Sequence, residues 1–145
     1  MTMDNVPADV AKTRAQRFAD GMAALKQIDQ DGGPKVVAAL DDISPELGHS
    51  VVAWGFGDIY SRPGLGARDR QLVTLGILTA LGDTERYLNV HINVALNVGL
   101  STDEIVEALL HAAVYCGMPR AINATLVAKK VFQERGLMPL QPKAR

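Results

Sequence analysis

Among the side chains suited to proton chemistry, His91 and His111 stand in the most informative surroundings. Residues 86–98 read RYLNVHINVALNV. Wound as an α-helix, successive residues step by about 100°. Asn89, Asn93 and Asn97 then form one stripe expected to face water, and His91 falls on the far side with Tyr87, Val94, Ala95 and Val98. A polar ring in that setting is costly unless it is hydrogen-bonded. Two readings fit: a core histidine bonded to a carbonyl, or a proton donor or acceptor near neutral pH with Tyr87 one turn earlier in the same pocket.

A second group, Glu104, Glu107, His111 and Tyr115, shares one stripe at helical spacing. Glu107 and His111, four residues apart, suit a weak exposed pair. His111 and Tyr115 lie where the helix is apolar on its other sides, which suits a pocket or a subunit contact. Arg70 and Gln71 open a strongly apolar segment. Arg68, Asp69 and Arg70 read as solvated first-turn charges. An arginine at the mouth of an apolar pocket is nevertheless a good carboxylate clamp, because its fork matches two oxygens. Arg62, in the turn between Tyr60 and Leu65, is a second such candidate. Trp54, Phe56 and Tyr60 fit either a core or a pocket wall. Cys116, the only cysteine, reads as a small buried hydrophobe and leaves no intrachain disulfide or Cys-x-x-Cys pair. The sequence has no Gly-rich phosphate loop, His-x-x-x-His metal helix or Gly-x-Ser-x-Gly elbow.

The elements that must hold these residues read as helices throughout. Spaced apolar positions from Val10 to Ile28 predict an amphipathic helix within 8–31, stopped by Asp31-Gly32-Gly33-Pro34. A short helix follows over Lys35 to Leu40. Ser44-Pro45-Glu46 starts another that runs to Tyr60. Residues 67–81 are apolar nearly all round and predict a central buried helix. The His91 helix ends at Gly99, and Ser101-Thr102-Asp103-Glu104 forms a capping box ahead of a helix to Cys116. Leu109, Ala112, Ala113, Val114 and Cys116 wrap most of that helix. A last helix runs from about Pro119 to Arg135. No segment alternates with period two, so the fold class is all-α: one compact domain of about six to seven helices spanning 1–145, with a core over about 14–136 and frayed ends at 1–7 and 138–145. Helices this apolar between 67 and 116 predict a homo-oligomer.

The 145 residues suffice for a core without staples. A net charge of −1 gives no electrostatic case for nucleic acid or anionic membranes. With 48% hydrophobic residues the composition is globular. Neither a signal-peptide pattern nor an 18-residue apolar run is present, so the expected setting is cytoplasmic.

Taken in order, Tyr60-Ser61-Arg62-Pro63-Gly64-Leu65, Ala80-Leu81-Gly82, His91 followed by Ala95-Leu96-Asn97, Gly99-Leu100-Ser101 with Glu104-Ile105, and Tyr115-Cys116-Gly117-Met118-Pro119 resemble the carboxymuconolactone decarboxylase family. The resemblance runs from about Arg14 to Gly136. It implies an alkyl hydroperoxidase D-like fold in a ring-like homo-oligomer, often a hexamer built from three dimers. The hydroperoxidase branch carries Cys-x-x-Cys ahead of its histidine; those positions here are Thr84 and Tyr87, which excludes peroxide reduction by that dithiol. The family's glutamate on the preceding helix aligns closest to Gln71, and the stretch from Leu81 to His91 is about one residue longer than in the pathway enzyme.

What remains resembles the decarboxylase branch. Its named reaction converts 4-carboxymuconolactone to 3-oxoadipate enol-lactone and CO2 in aromatic-compound catabolism, without a cofactor or metal. On that resemblance His91 is the proton or oxyanion donor and Arg70 or Arg62 holds carboxylate. Tyr60, Trp54, Tyr87, His111 and Tyr115 are expected to contact a small lactone acid. A family member acting on another small substrate, a peroxidase-related protein using Cys116 across subunits, and a non-catalytic binding module are the alternatives.

Overall fold

A computed structural model describes residues 12–140, and every regular element among them is a helix. The chain divides into two compact units, one ending at Leu65 and one beginning at Gly66. The ends expected to fray at 1–7 and 141–145 lie outside the described residues. Met138 and Leu140, expected to be frayed, instead pack against the core, since both have apolar surface to bury.

The N-terminal unit holds α1 (Arg14–Ile28), α2 (Gly32–Leu40), α3 (Pro45–Ser50) and a π-helical segment, Val51–Tyr60. Helix α1 begins at Arg14, and the expected start over 8–11, with Val10, lies outside the described residues. Thr13 caps it, with Thr13 Oγ1 accepting from the Gln16 N–H at 3.2 Å and Gln16 Oε1 accepting from the Thr13 N–H at 2.8 Å. The Asp-Gly-Gly-Pro run does not only stop a helix. Asp31 stands at the N-cap of α2 and Pro34 falls in its first turn, where the missing N–H would have had no intrahelical partner. The expected single helix from Ser44 to Tyr60 changes at Val51 into wider π turns, the form in which an inserted residue is accommodated. Gly21 and Gly57 let α1 and the π segment cross closely: a Cβ on Gly21 would sit 2.0 Å from the Val52 carbonyl oxygen, and one on Gly57 2.4 Å from that of Arg17. Arg17 and Asp58 pair beside this crossing, with Arg17 Nε donating to Asp58 Oδ1 at 3.0 Å. Arg14 donates through both terminal nitrogens to Glu46, which holds the Glu46 carboxyl below its ordinary range.

The C-terminal unit is built from α4 (Ala67–Leu81), α5 (Glu85–Asn97), α6 (Thr102–Cys116) and α7 (Met118–Glu134). Leu75, Leu88, Ile92, Ile105, Leu109 and Phe132 lie at its centre. The predicted central burial of α4 is only half right. Its buried face is Gln71, Leu75 and Thr79, spaced by four, while Val73, Ile77 and Leu81 are exposed. The other three helices of the unit provide neighbours for one stripe of α4, not for its whole circumference. The same holds for α6, where Ile105, Leu109, Ala112 and Ala113 are buried, Cys116 is half-buried instead of fully buried, and Val114 is 76% exposed.

Turns between these helices follow from glycine. Gly82, Gly99, Gly117 and Gly136 all have positive φ, the region that costs an L side chain about 1–2 kcal/mol. After α5 the Gly99 N–H bonds the Leu96 carbonyl at 3.1 Å and the Leu100 N–H bonds that of Ala95 at 2.9 Å, tucking Leu100 into the core. At the end of α4, Arg120 Nη1 donates to the Ala80 carbonyl at 2.7 Å, placing a cation at the negative pole of the helix. The Asn stripe of α5 is drier than expected. Asn89 and Asn93 are half-buried, and Arg135 reaches back from the end of α7 to the Oδ1 atoms of Asn93 and Asn97. No described helix is long and apolar enough to cross a membrane.

Candidate active site

Helices α4 and α5 bring together the pair on which the chemistry of the unit can centre. Helix α5 buries Leu88, Ile92 and Ala95, and His91 rides at the margin of that face, half-buried. Across from it, Gln71 projects from the first turns of α4 and is fully buried. His91 Nδ1 and Gln71 Oε1 are 3.1 Å apart. An amide oxygen only accepts, so this contact places a proton on Nδ1. The polar ring therefore meets the requirement set by its position, through a side-chain carboxamide. Gln71 was visible in the sequence as a neighbour of Arg70 and as the position closest to the family's glutamate on that helix. That it would face His91 was not, since twenty residues and a turn separate them.

Arg70, the residue before Gln71, is half-buried at the same end of α4, and its carbonyl accepts from Thr74 Oγ1 at 2.9 Å. Arg68 is not simply solvated: its Nη2 donates to Glu104 Oε1 at 2.6 Å and ties α4 to the start of α6. Tyr87, one turn before His91, is 60% exposed.

His111 and Tyr115 stand together elsewhere, their rings meeting edge-on with centroids 5.4 Å apart. They line a groove of about 710 Å³ between α4 and α6. Leu72, Val73, Gly76 and Ala80 form one wall, and Asp103, Glu104 and Glu107 stand among the residues of the other. Neither His91 nor Arg70 is among its lining residues. The structure therefore brings His91 to Gln71, and His111 to Tyr115 in the groove.

Glu104 is held below the ordinary glutamate range, chiefly by the Ser101 N–H and then by Arg68. Ser101 Oγ accepts from the Glu104 N–H at 3.2 Å while Glu104 Oε2 accepts from the Ser101 N–H at 2.8 Å, which is the capping box anticipated there.

The remaining candidates lie in the N-terminal unit. Trp54 is 62% exposed on the π segment, so it serves as no core residue of this unit. The Phe56 and Tyr60 rings meet at a tilt of 37° with centroids 4.7 Å apart, both half-buried, and Arg62 is exposed in the turn after them. Among the described residues no three His, Cys, Asp or Glu side chains are grouped to hold a metal ion.

Comparison with known proteins gives this geometry its setting. The family model described as "Carboxymuconolactone decarboxylase family" matches residues 45–130, more than half of the chain, including both helices of the His91–Gln71 pair. The chain belongs to this family. A 4-carboxymuconolactone decarboxylase of Acinetobacter baylyi is 35% identical over 125 residues, covering 86% of this chain and 92% of that protein. A nitrosuccinic acid decarboxylase of Metarhizium robertsii is 40% identical over 121 residues, covering 81% of this chain and 82% of its own length. The chain is a carboxy-lyase of the carboxymuconolactone decarboxylase family, with the all-α fold that the resemblance implied.

Proposed function

We propose that this chain is a cofactor-independent decarboxylase of small acids whose departing carboxylate stands next to an electron sink, with 4-carboxymuconolactone or a similar lactone acid as substrate and His91 as proton donor. The observation that carries the reading is a half-buried histidine, locked to a fully buried glutamine, in a chain with two decarboxylase relatives.

The two relatives' substrates share a chemical logic. In a carboxymuconolactone, the electrons of the breaking C–C bond flow through the unsaturated ring to the lactone carbonyl. In nitrosuccinic acid they flow onto the nitro group. Each substrate supplies its own sink and keeps a polar anchor after CO2 leaves. The protein is then left with three tasks: hold the anchor, stabilise charge growing on the sink oxygen, and return one proton to carbon. Preorganised donors in a dry site serve the second, and an acid of near-neutral pKa serves the third. His91 fits the proton transfer. Arg70, half-buried beside the glutamine that holds His91, fits the anchor.

His111 and Tyr115 fit this role less well. Asp103, Glu104 and Glu107 stand with them in the groove, Glu104 already paired with Arg68, and no lysine or arginine is among the lining residues to hold an acid. The reading therefore rests on the His91–Gln71 pair. The apolar residues left exposed on α6 and α7, Leu110, Val114, Met118, Ile122 and Leu126, support assembly with further copies, for which the family resemblance implies a hexamer.

The test is turnover of 4-carboxymuconolactone and of nitrosuccinic acid by the purified chain. Release of CO2 from either acid that is lost in folded His91→Ala supports the reading. Unchanged turnover in that variant removes His91 from the chemistry.

A further inference from the structure

We propose that Gln71 is a positioning residue that holds His91 as its Nδ1–H tautomer, so that Nε2 is the nitrogen that takes up and delivers the proton. The tautomer follows from geometry alone; only its catalytic consequence rests on the reading of His91 as proton donor.

A histidine side chain in water favours the Nε2–H form, so a histidine held the other way needs an acceptor fixed at Nδ1. Gln71 Oε1 is such an acceptor, 3.1 Å from the ring nitrogen. Its fixity comes from packing: Gln71 is fully buried, one turn ahead of fully buried Leu75 and two ahead of Thr79. Thr79 Oγ1 bonds the Leu75 carbonyl at 2.7 Å, so the hydroxyl on this buried face is satisfied within α4. The ring is fixed from its own side as well, because Ile92 and Ala95 on α5 are fully buried. The hydrogen bond made by one ring nitrogen sets the protonation of the other.

A carboxamide differs from a carboxylate at this place. It orients the ring without adding a negative charge to stabilise imidazolium. Nε2 is then the nitrogen that takes up a proton from solvent and gives it up to the substrate carbon. In the reaction the C–CO2⁻ bond breaks and CO2 departs. The bonding pair remains on the substrate's conjugated system. A C–H bond forms with the proton from Nε2, and imidazolium returns to neutral imidazole. One proton is drawn from solvent for each CO2 released.

The tautomer can be read without substrate. Long-range ¹⁵N–¹H correlation spectra of the ¹⁵N-histidine-labelled chain, recorded above the histidine titration range and assigned to His91 with His91→Asn, should show a protonated Nδ1 and a bare Nε2 for His91. Gln71→Met removes the acceptor at similar volume and should return His91 to the Nε2–H form. Gln71→Glu keeps an acceptor and should leave Nδ1 protonated. With an acid that the wild type decarboxylates, Gln71→Met should lower kcat by on the order of 10–100-fold, by analogy with losing the outer partner that orients a metal-bound histidine, with KM little changed. Gln71→Glu should retain more of kcat than Gln71→Met.

An Nε2–H form of His91 in the wild-type spectrum overturns the proposal. So does an Nδ1–H form that persists in folded Gln71→Met. If Gln71→Met does not fold, the wild-type and Gln71→Glu spectra decide. If no acid is turned over while the spectra show Nδ1–H, the positioning stands and the decarboxylase reading of the site is what fails.

Discussion

Leu109 and Leu110 are neighbours on α6 with identical chemistry and opposite burial, 0% and 57% exposed. Truncating each to alanine separates the energetics of the described core from those of any further assembly. Leu109→Ala removes three carbons from the centre of the C-terminal core, beside Ile105 and Phe132. At about 0.8 kcal/mol per buried carbon the transfer loss is about 2.4 kcal/mol. A cavity that only partly collapses brings the total to about 3–5 kcal/mol. Leu110→Ala in an isolated chain should cost under about 1 kcal/mol, since more than half of that side chain already meets water. Urea unfolding of the wild type and both variants, at several protein concentrations, reads the difference. A loss below about 1 kcal/mol for Leu109→Ala would refute the packing argument. A large loss for Leu110→Ala, with a midpoint that rises with protein concentration, would show that a second copy covers this face.

Further outcomes follow from the caps and turns. Ser101→Ala removes the Oγ that accepts from the Glu104 N–H and should lower stability by about 1 kcal/mol in denaturant unfolding. The folded-state pKa of Glu104 is depressed, so its contribution is complete above the ordinary glutamate range and is lost as pH falls through the lowered value. The stability gap between wild type and Glu104→Gln should therefore close on acidification, and a gap independent of pH would contradict it. Gly82→Ala places a Cβ at φ +72°, 3.2 Å from Arg120 Nε, and should cost about 1–2 kcal/mol in thermal or denaturant unfolding.

Helix positions were legible in the sequence wherever local signals were strong. The capping box at Ser101 and Glu104, the apolar run from Ala67 to Leu81 and the glycine stop at Gly99 all reappear in the structure. The π segment was not legible, because hydrophobic spacing over ten residues does not distinguish a wide turn from an α turn. The burial of α4 was overstated for a related reason. Apolar content says that a surface avoids water, and Val73 and Ile77 have apolar character yet are exposed among the described residues. At the site, the histidine itself stood out by residue type and helical phase. Its partner did not, because a glutamine in the first turns of a helix looks solvated until the helix that packs on it is known. His111 and Tyr115 were grouped correctly by their spacing of four. Which residues line the groove with them depends on how α4 and α6 pack, which periodicity does not encode.

The most direct test of the account is the initial rate of CO2 release from freshly generated 4-carboxymuconolactone, with no cofactor or metal added, compared between the wild type and His91→Ala of matched fold. The account predicts rapid wild-type turnover and a fall of roughly 10²–10⁴-fold in the variant, the range expected when a general acid is removed. Equal rates for the two proteins would contradict it.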